Sequence, residues 1–436
     1  MGMFEPNMET MTRDELEHLQ DKKLRHLVSR AYNNVKMYHD KFKGIPPRSI
    51  HGLRDLEKIP FTTKNDLRTY SLRDRLAVPE IEIIFYSTSS GTTGRPVVEG
   101  LTFKDIQVAS IWGAKTFSAA TITKEDKVLE PMPGGGLRTV LVAQAGLARI
   151  GAKIIHTGPG RTKEFQIPIL MGRYEESMKP SVILGYANYM LRIADVAKDM
   201  GIDPKEFGVK KLVCGGEMCS EGRRRILEET YDAHAYDMFG LVEASIGPGA
   251  AGECEAQNGM HIWENYFIVE VINPQTGESL GTGEQGELVI TAFEKDAHPI
   301  IRYRTGDIAK ILSVDKCSCG RTNMRLGRII GRTDDRFKVR GVQLYPSEIE
   351  NFLSKIQEVG SEYNVVVKEI NYVDEMLITV ESKRGYSGSP NALAQEISRT
   401  FDGVFNVTPK VEVFPYGTLE REEEGKIRRV MDLRKK

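Results

Sequence analysis

The sequence predicts an α/β protein in two parts: a large N-terminal domain of layered sheets and helices, followed by a small α+β domain. Three observations carry that expectation. The chain has 436 residues, and chains beyond roughly 250–300 residues divide into separate cores. Short apolar runs alternate with a helix-like stretch between 128 and 157, and the same rhythm recurs at 182–184 and 211–213. Strands separated by helices build a sheet with helices packed on it. The texture then changes from Gly331 to Gly341, where Arg332, Asp334, Asp335, Arg336, Lys338 and Arg340 stand between the two glycines. Such a stretch suits an exposed connector. The boundary is expected at Asp334, dividing the chain into 1–333 and 334–436.

The first element is a helix over 14–42, with Leu24, Leu27, Val28, Ala31, Val35 and Tyr38 along one face. Gly44 and the Pro46-Pro47 pair end it. In Pro60-Phe61-Thr62-Thr63-Lys64-Asn65-Asp66-Leu67, either Thr62 or Thr63 caps a short helix. Past the connector, Val365-Val366-Val367 and Leu377-Ile378-Thr379-Val380 alternate with helical stretches at 346–356 and 391–401. That is a unit of about a hundred residues, an ordinary domain size. The chain has no internal repeat, and residues 420–429 are densely charged.

Composition narrows the function classes. Apolar residues make up 40% and charged residues 28% of the chain, a usual globular balance. A formal charge of −1 gives no electrostatic reason to expect nucleic acid or an acidic membrane. No apolar run approaches the ~20 residues that span a bilayer. The first residues lack the basic start and apolar stretch of a secretion signal. Gly2 is followed by Pro6 where a myristoylation motif needs Ser or Thr. Five cysteines in a chain this long are not a disulfide framework. The expected location is cytoplasmic.

Residues 87–97 hold the densest chemical signal. Ser87, Thr88, Ser89, Ser90, Thr92 and Thr93 surround Gly91 and Gly94, and Arg95 and Pro96 follow. Glycine lets backbone approach a ligand without a Cβ in the way. Hydroxyls and bare N–H groups donate hydrogen bonds, and Arg95 brings a permanent charge suited to phosphate. The pattern is not the Walker loop, because the glycines are too close and no Gly-Lys-Ser/Thr follows. A plain Ser/Thr/Gly surface turn is the competing reading.

The block Ser89–Pro96 resembles the phosphate loop of the adenylate-forming enzymes: acyl-CoA synthetases, peptide-synthetase adenylation domains and luciferases. Arg95 stands where that family usually has Lys. Four further blocks follow in the family's order. Cys214-Gly215-Gly216-Glu217 leaves an apolar run, and two glycines there allow a flat base to lie on the backbone; a bare turn is the alternative. Ala235–Glu243 resembles the family's aromatic-Gly-x-Ser/Thr-Glu segment. The resemblance implies that Phe239 stacks on adenine beside Met238 and Gly240, Asp237 bonds the adenine amino group, and Glu243 holds Mg²⁺. Carboxylate and phosphate oxygens suit that hard cation. Val242 departs from the pattern by offering no hydroxyl.

Arg302-Tyr303-Arg304-Thr305-Gly306-Asp307 resembles the ribose block, in which the Asp accepts from both ribose hydroxyls, as a two-oxygen acceptor can. Asp307 matches that position and Arg332 its arginine partner. Gly425-Lys426-Ile427-Arg428 resembles the block whose lysine reaches the substrate carboxylate and α-phosphate. A cation there stabilises charge moving onto oxygen; read alone, Lys426 belongs to a solvated charged face. At finer grain the chain is similar to the phenylacetate–CoA ligase branch, on Pro60–Leu67, Met260-His261-Ile262-Trp263-Glu264 and Pro299–Thr305. It departs from that branch at Pro131–Arg138, in the acyl-pocket region.

The resemblance implies AMP-forming acid–CoA ligation. A carboxylate such as an arylacetate attacks the α-phosphate of Mg·ATP, giving acyl-adenylate and pyrophosphate. The small, mobile C-terminal domain then turns about Asp334, bringing Arg340 and Gly341 to a CoA tunnel, and the thiolate displaces AMP. Transfer of the acyl or adenylyl group to a carrier protein or a cofactor hydroxyl is the alternative. The expected partners are a small carboxylic acid, ATP and CoA, with neither nucleic acid nor membrane; self-association as a homodimer stays open.

One cluster falls outside that frame. Cys317 and Cys319 form a Cys-x-Cys pair, and Cys254 precedes His261 by seven residues. Three thiolates and an imidazole suit a tetrahedral structural Zn²⁺. Some members of the branch hold zinc in this region. Cys214 and Cys219 read as buried thiols without a role.

Overall fold

The computed structural model describes residues 2–88, 96–130, 137–157, 163–247, 249–370, 373–420 and 429–434. Thr12 opens the first long helix with a capping box, accepting from the N–H of Glu15 while Glu15 bonds back to Thr12. The helix expected over 14–42 is two helices, Arg13–Asn34 and Lys36–Lys41. Val35 breaks it by taking an extended backbone (φ −116°, ψ 110°). The bend sends Val35, Met37 and Tyr38 into the core together, which one straight helical face does not reach. Of the two cap candidates, Thr63 caps Lys64–Thr69 with Asp66. Thr62 instead donates its hydroxyl to the Ile301 carbonyl at 2.7 Å and bridges to Tyr303.

Among the described residues, the largest sheet has nine strands. Five run parallel, in the spatial order Lys153–His156, Lys127–Glu130, Val182–Gly185, Lys211–Cys214 and His234–Phe239. These are the apolar runs visible in the sequence. The central Val182–Gly185 strand is buried along its whole length, as parallel strands covered on both faces are. The sheet then continues antiparallel through Ala251–Glu253, Met260–Ile262, Arg325–Leu326 and Ile311–Ser313. Helices Phe103–Ala119 and Leu137–Ile150 pack on one another through glycine. A Cβ on Gly146 would lie 2.9 Å from the carbonyl carbon of Gly113.

A second, antiparallel sheet runs Phe267–Ile272, Gly286–Ala292, Ile300–Ala309 and Gly331–Arg332. Its last pairing sets Asp307 directly opposite Arg332. Beyond residue 336 the apolar side chains form a core of their own, including Phe337, Ile349, Val365, Ile378, Ile397 and Phe401. Its sheet has the order Lys410–Phe414, Val373–Ser382, Val359–Ile370 and Val430–Asp432. Helices Pro346–Leu353 and Pro390–Phe405 cover it, with Phe352 edge-on to Phe401 at 5.1 Å. That is the α+β unit the sequence predicts.

Ion pairs join this unit to the rest. Arg192 pairs with Glu362, which also accepts from Arg429 at 2.7 Å. Arg223 pairs with Glu350, and the N–H of Gly222 bonds Asn351 at 3.4 Å. No helix among the described residues is long and apolar enough to cross a membrane.

Candidate active site

The parallel strands deliver their C-terminal ends to one rim of the sheet, which is where α/β folds bind ligands. Cys214 leads to Gly215 and Gly216, and the His234–Phe239 strand carries Asp237, Met238 and Phe239 to Gly240. At Gly215 an added Cβ would lie 2.2 Å from the Met238 side chain, and at Gly216 it would lie 2.5 Å from the Tyr186 ring. The room left by the missing side chains is therefore taken by Met238 and Tyr186. Phe239 is buried within the large apolar core. Glu217 accepts from the backbone N–H and side-chain amide of Asn188 at 2.7 and 3.0 Å, and burial raises its pKa.

Asp237 has a partner the sequence does not announce. Its carboxylate takes a hydrogen bond from Arg328 at 2.8 Å, and Arg328 also reaches Glu253 at 3.2 Å. Burial still pushes the Asp237 carboxyl up to about 7. Two buried carboxylates share one guanidinium, which the more exposed Glu221 also approaches at 3.5 Å.

Glu243 lies on the short helix Val242–Ser245 and is buried. Lys64, one residue past the Thr63 cap, brings its ammonium to 3.7 Å from the Glu243 carboxylate. Lys64 also lines a cleft of about 500 Å³ with Arg68, Arg304, Gly306, Arg332 and Arg336. Arg332, in the lining of that cleft, donates to Asp307 at 2.9 Å and to Asp334 at 3.0 Å. Gly306 takes a positive φ of 78°, and a Cβ there would lie 2.9 Å from the Arg332 guanidinium. The ribose block, its arginine and the expected hinge residue thus form one continuous chain of contacts. Arg340 and Gly341 form the turn between strands Phe337–Val339 and Val342–Leu344. Arg340 is exposed and is held by Asp374 at 3.0 Å, away from the residues that line this cleft. Ser89, Ser90, Gly91, Thr92, Thr93, Gly94, Arg95 and Lys426 lie outside the described residues.

Cys254, His261, Cys317 and Cys319 are all buried, and their ligand atoms lie within 4.8 Å of one another. The antiparallel strands bring them together: Gly252 pairs with His261, and His261 with Arg325. Cys254 and Cys317 sulfurs are 3.8 Å apart, and Cys319 lies 3.4 Å from His261 Nε2. His261 Nδ1 faces the Asn323 carbonyl at 3.2 Å, so a proton on Nδ1 leaves the Nε2 lone pair aimed at the sulfurs. Hydrogen bonds from Cys254, then His261 and Arg321, hold the Cys319 thiol well below the usual range.

Residues 341–434 match the AMP-binding enzyme C-terminal domain. The whole chain is similar to the phenylacetate-coenzyme A ligase of Thermus thermophilus, with 36% identity covering 99% of this chain and 100% of the relative. The chain belongs to the phenylacetate–CoA ligase family. Its reaction class is AMP-forming acid–CoA ligation, and its fold is that of the adenylate-forming CoA ligases, as the motif order implies. Among solved structures it is similar to 2-hydroxyisobutyryl-CoA ligase in the postadenylation state in complex with 2-HIB-AMP. That match has a TM-score of 0.90 at 29% identity, covering 98% of this chain and 91% of that one. Against the same enzyme with 2-HIB-AMP and CoA in the thioesterification state, the TM-score is 0.71 at 29% identity, covering 98% and 92%. The family's likeness therefore extends to the arrangement of parts, which here follows the postadenylation state more closely.

Lys64, Arg328 and the buried Lys295, which donates to the Glu243 backbone carbonyl, are site neighbours that the sequence reading missed. Lys64 sat inside the Pro60–Leu67 string and was open to being read as a cation one residue past a helix cap. For Arg328 and Lys295 no local signal exists.

Proposed function

We propose that this protein activates an arylacetic acid with ATP and passes the acyl group to CoA. The observation that carries this reading is the cleft lined by Lys64, Arg304, Arg332 and Asp334, in which Arg332 holds Asp307 and Lys64 approaches Glu243. Asp307 and Arg332 bind the ribose, and Ser89–Arg95 wraps the phosphates. Phe239, Met238 and Gly240, with Gly215, Gly216 and Glu217, form the adenine side of the site. Asp237 acts there through Arg328 as well as toward the base. Glu243 holds Mg²⁺, which neutralises phosphate charge when bound. Lys426 supplies a cation to the α-phosphate during adenylation.

Residues 334–436 move as a lid about Asp334 on this reading, and Arg340 and Gly341 face CoA only after the turn. The TM-score contrast supports assigning the present arrangement to the adenylate side of that cycle. In the arylacetate assignment the chain follows its phenylacetate-activating relatives.

The Cys254, His261, Cys317 and Cys319 set fits one structural Zn²⁺. A tetrahedral site with Zn–S near 2.3 Å sets its sulfurs roughly 3.8 Å apart, which the Cys254–Cys317 separation of 3.8 Å matches. Four protein ligands leave no open position, so the ion would stabilise the fold and take no part in the reaction.

ATP–pyrophosphate exchange across arylacetic, benzoic, heteroaryl and short aliphatic acids tests the substrate. AMP release with and without free CoA tests the acceptor. Exchange strongest with arylacetates and CoA-dependent AMP release is the expected pair of results. Strongest exchange with a short hydroxy acid would overturn the substrate class and leave the reaction intact.

A further inference from the structure

Lys295 is 1% exposed, as is its partner Glu99, and the ammonium lies 3.4 Å from both Glu99 oxygens. It also donates to the backbone carbonyl of Glu243. Glu99 belongs to the strand Val98–Leu101, which pairs with Phe85–Thr88. One buried cation thus joins the helix carrying Glu243 to a two-stranded hairpin some 140 residues earlier in the chain.

The surroundings make this junction rigid. His298 Nε2 accepts the N–H of Gly100 at 3.0 Å, and its Nδ1 meets the Arg75 carbonyl at 3.2 Å. Arg75 in turn donates to the Val98 carbonyl at 2.6 Å. Asp105 accepts the N–H groups of Asp296 and Ala297 at 2.7 and 3.1 Å. The segment bearing Lys295 is therefore pinned on both sides of the hairpin. Burying a charged pair costs several kcal/mol of desolvation, and apolar residues of similar shape often hold a core as well. Stability alone is a poor reason for this lysine.

Its placement against Glu243 supplies another. The two lysines at Glu243 divide the work: Lys64 approaches the carboxylate from the half-exposed cleft side, while Lys295 takes the backbone carbonyl from the buried side. A carboxylate that holds a cation needs its main chain fixed, because second contacts orient the ligating group. We infer that Lys295, held by Glu99, is a positioning residue that fixes the Glu243 backbone so that its carboxylate meets Mg·ATP during adenylation. The inference rests on the reading of Glu243 as the Mg²⁺ ligand.

The test uses the full chain and measures calorimetric ATP affinity and ATP–pyrophosphate exchange, each against Mg²⁺ concentration, alongside thioester formation from supplied acyl-adenylate and CoA. Lys295→Met should raise the Mg²⁺ concentration for half-maximal exchange about tenfold, equal to about 1.4 kcal/mol. Thioester formation from the supplied adenylate should stay within about twofold of wild type, since that step comes after Mg·ATP has reacted. Lys295→Arg keeps the charge and should restore part of the Mg²⁺ response. If both half-reactions fall together while the Mg²⁺ midpoint stays put, Lys295 is only structural and the inference is overturned. Should Lys295→Met fail to fold, Glu99→Gln decides, with a smaller shift in the same direction expected and an unmoved midpoint counting against. Glu243→Gln separates the two levels. If it leaves the Mg²⁺ dependence unchanged, the metal reading fails; if it shifts the midpoint and the Lys295 variants do not, only the positioning role fails.

Discussion

Asp307 meets Arg332 at 2.9 Å, and Arg332 meets Asp334 at 3.0 Å. Removing the Asp307 carboxylate leaves Arg332 with Asp334, so the fold should persist while ribose binding weakens. A hydrogen bond to a charged group is worth ~1.5–3 kcal/mol, so Asp307→Ala should lower ATP affinity roughly tenfold to a hundredfold. Calorimetric titration checks this, and an unchanged affinity would take Asp307 out of the site. His298 carries a second prediction at this scale. Burial holds its pKa down to about 3, with Glu99, Lys295 and Arg75 as the charges facing it. In the unfolded chain an imidazole titrates near ~6.5. As pH falls, the unfolded state therefore takes up the proton first. The stability that the neutral ring contributes is complete above pH ~6.5 and drains as pH falls toward the folded value. His298→Gln cannot titrate; it should be less stable than wild type at neutral pH, yet lose up to about 2 kcal/mol less between pH 6.5 and 5. Equal losses in urea unfolding for both proteins would show that His298 does not set the slope.

At the scale of elements, caps and periodicity are local and were readable. Thr63, one of the two candidates, caps its helix together with Asp66, and the runs at 182–184 and 211–213 are strands Val182–Gly185 and Lys211–Cys214. The Val35 break was not readable, because its cause is the core that Val35, Met37 and Tyr38 share with distant segments. The two-residue strand Gly331–Arg332 was read as connector, and only its partner Ile300–Ala309 makes it a strand. The Cys/His cluster also belongs here, since three strands and a turn assemble it. Protein purified without chelator should carry one Zn²⁺ per chain by elemental analysis. Cys317→Ser should lose that metal and lower the thermal midpoint by several degrees, with activity falling only as the fold is lost. A metal-free wild type, or a variant equally stable, would make the cluster a set of ordinary buried thiols.

Over the whole molecule, Glu362 is the meeting point of the two halves: Arg192 reaches it from the large part and Arg429 from the C-terminal strand region. Taking one partner from a buried pair leaves an uncompensated charge and costs ~3–5 kcal/mol. Glu362→Gln should therefore loosen the present arrangement, speed proteolysis within 331–341 and slow adenylation more than thioester formation. Lys426→Ala should abolish adenylate formation, leave thioester formation from supplied adenylate largely intact, and leave that proteolysis unchanged. Equal loss of both half-reactions in Lys426→Ala would refute its role, and an unaltered cleavage rate in Glu362→Gln would refute the contact as a latch.

Motif order along the chain, the alternation of apolar runs with helices and the charged connector were enough to determine the fold class, the family and its reaction. Each of these is written in neighbouring residues, where periodicity and backbone chemistry act. Tertiary structure alone decided that Met238 fills the room above Gly215, that Arg328 holds Asp237, and that Lys295 reaches both Glu99 and Glu243. Those pairings join residues 23 to 196 positions apart. A buried charge takes its partner from whichever segment the packed core presents, and local sequence holds no record of that choice.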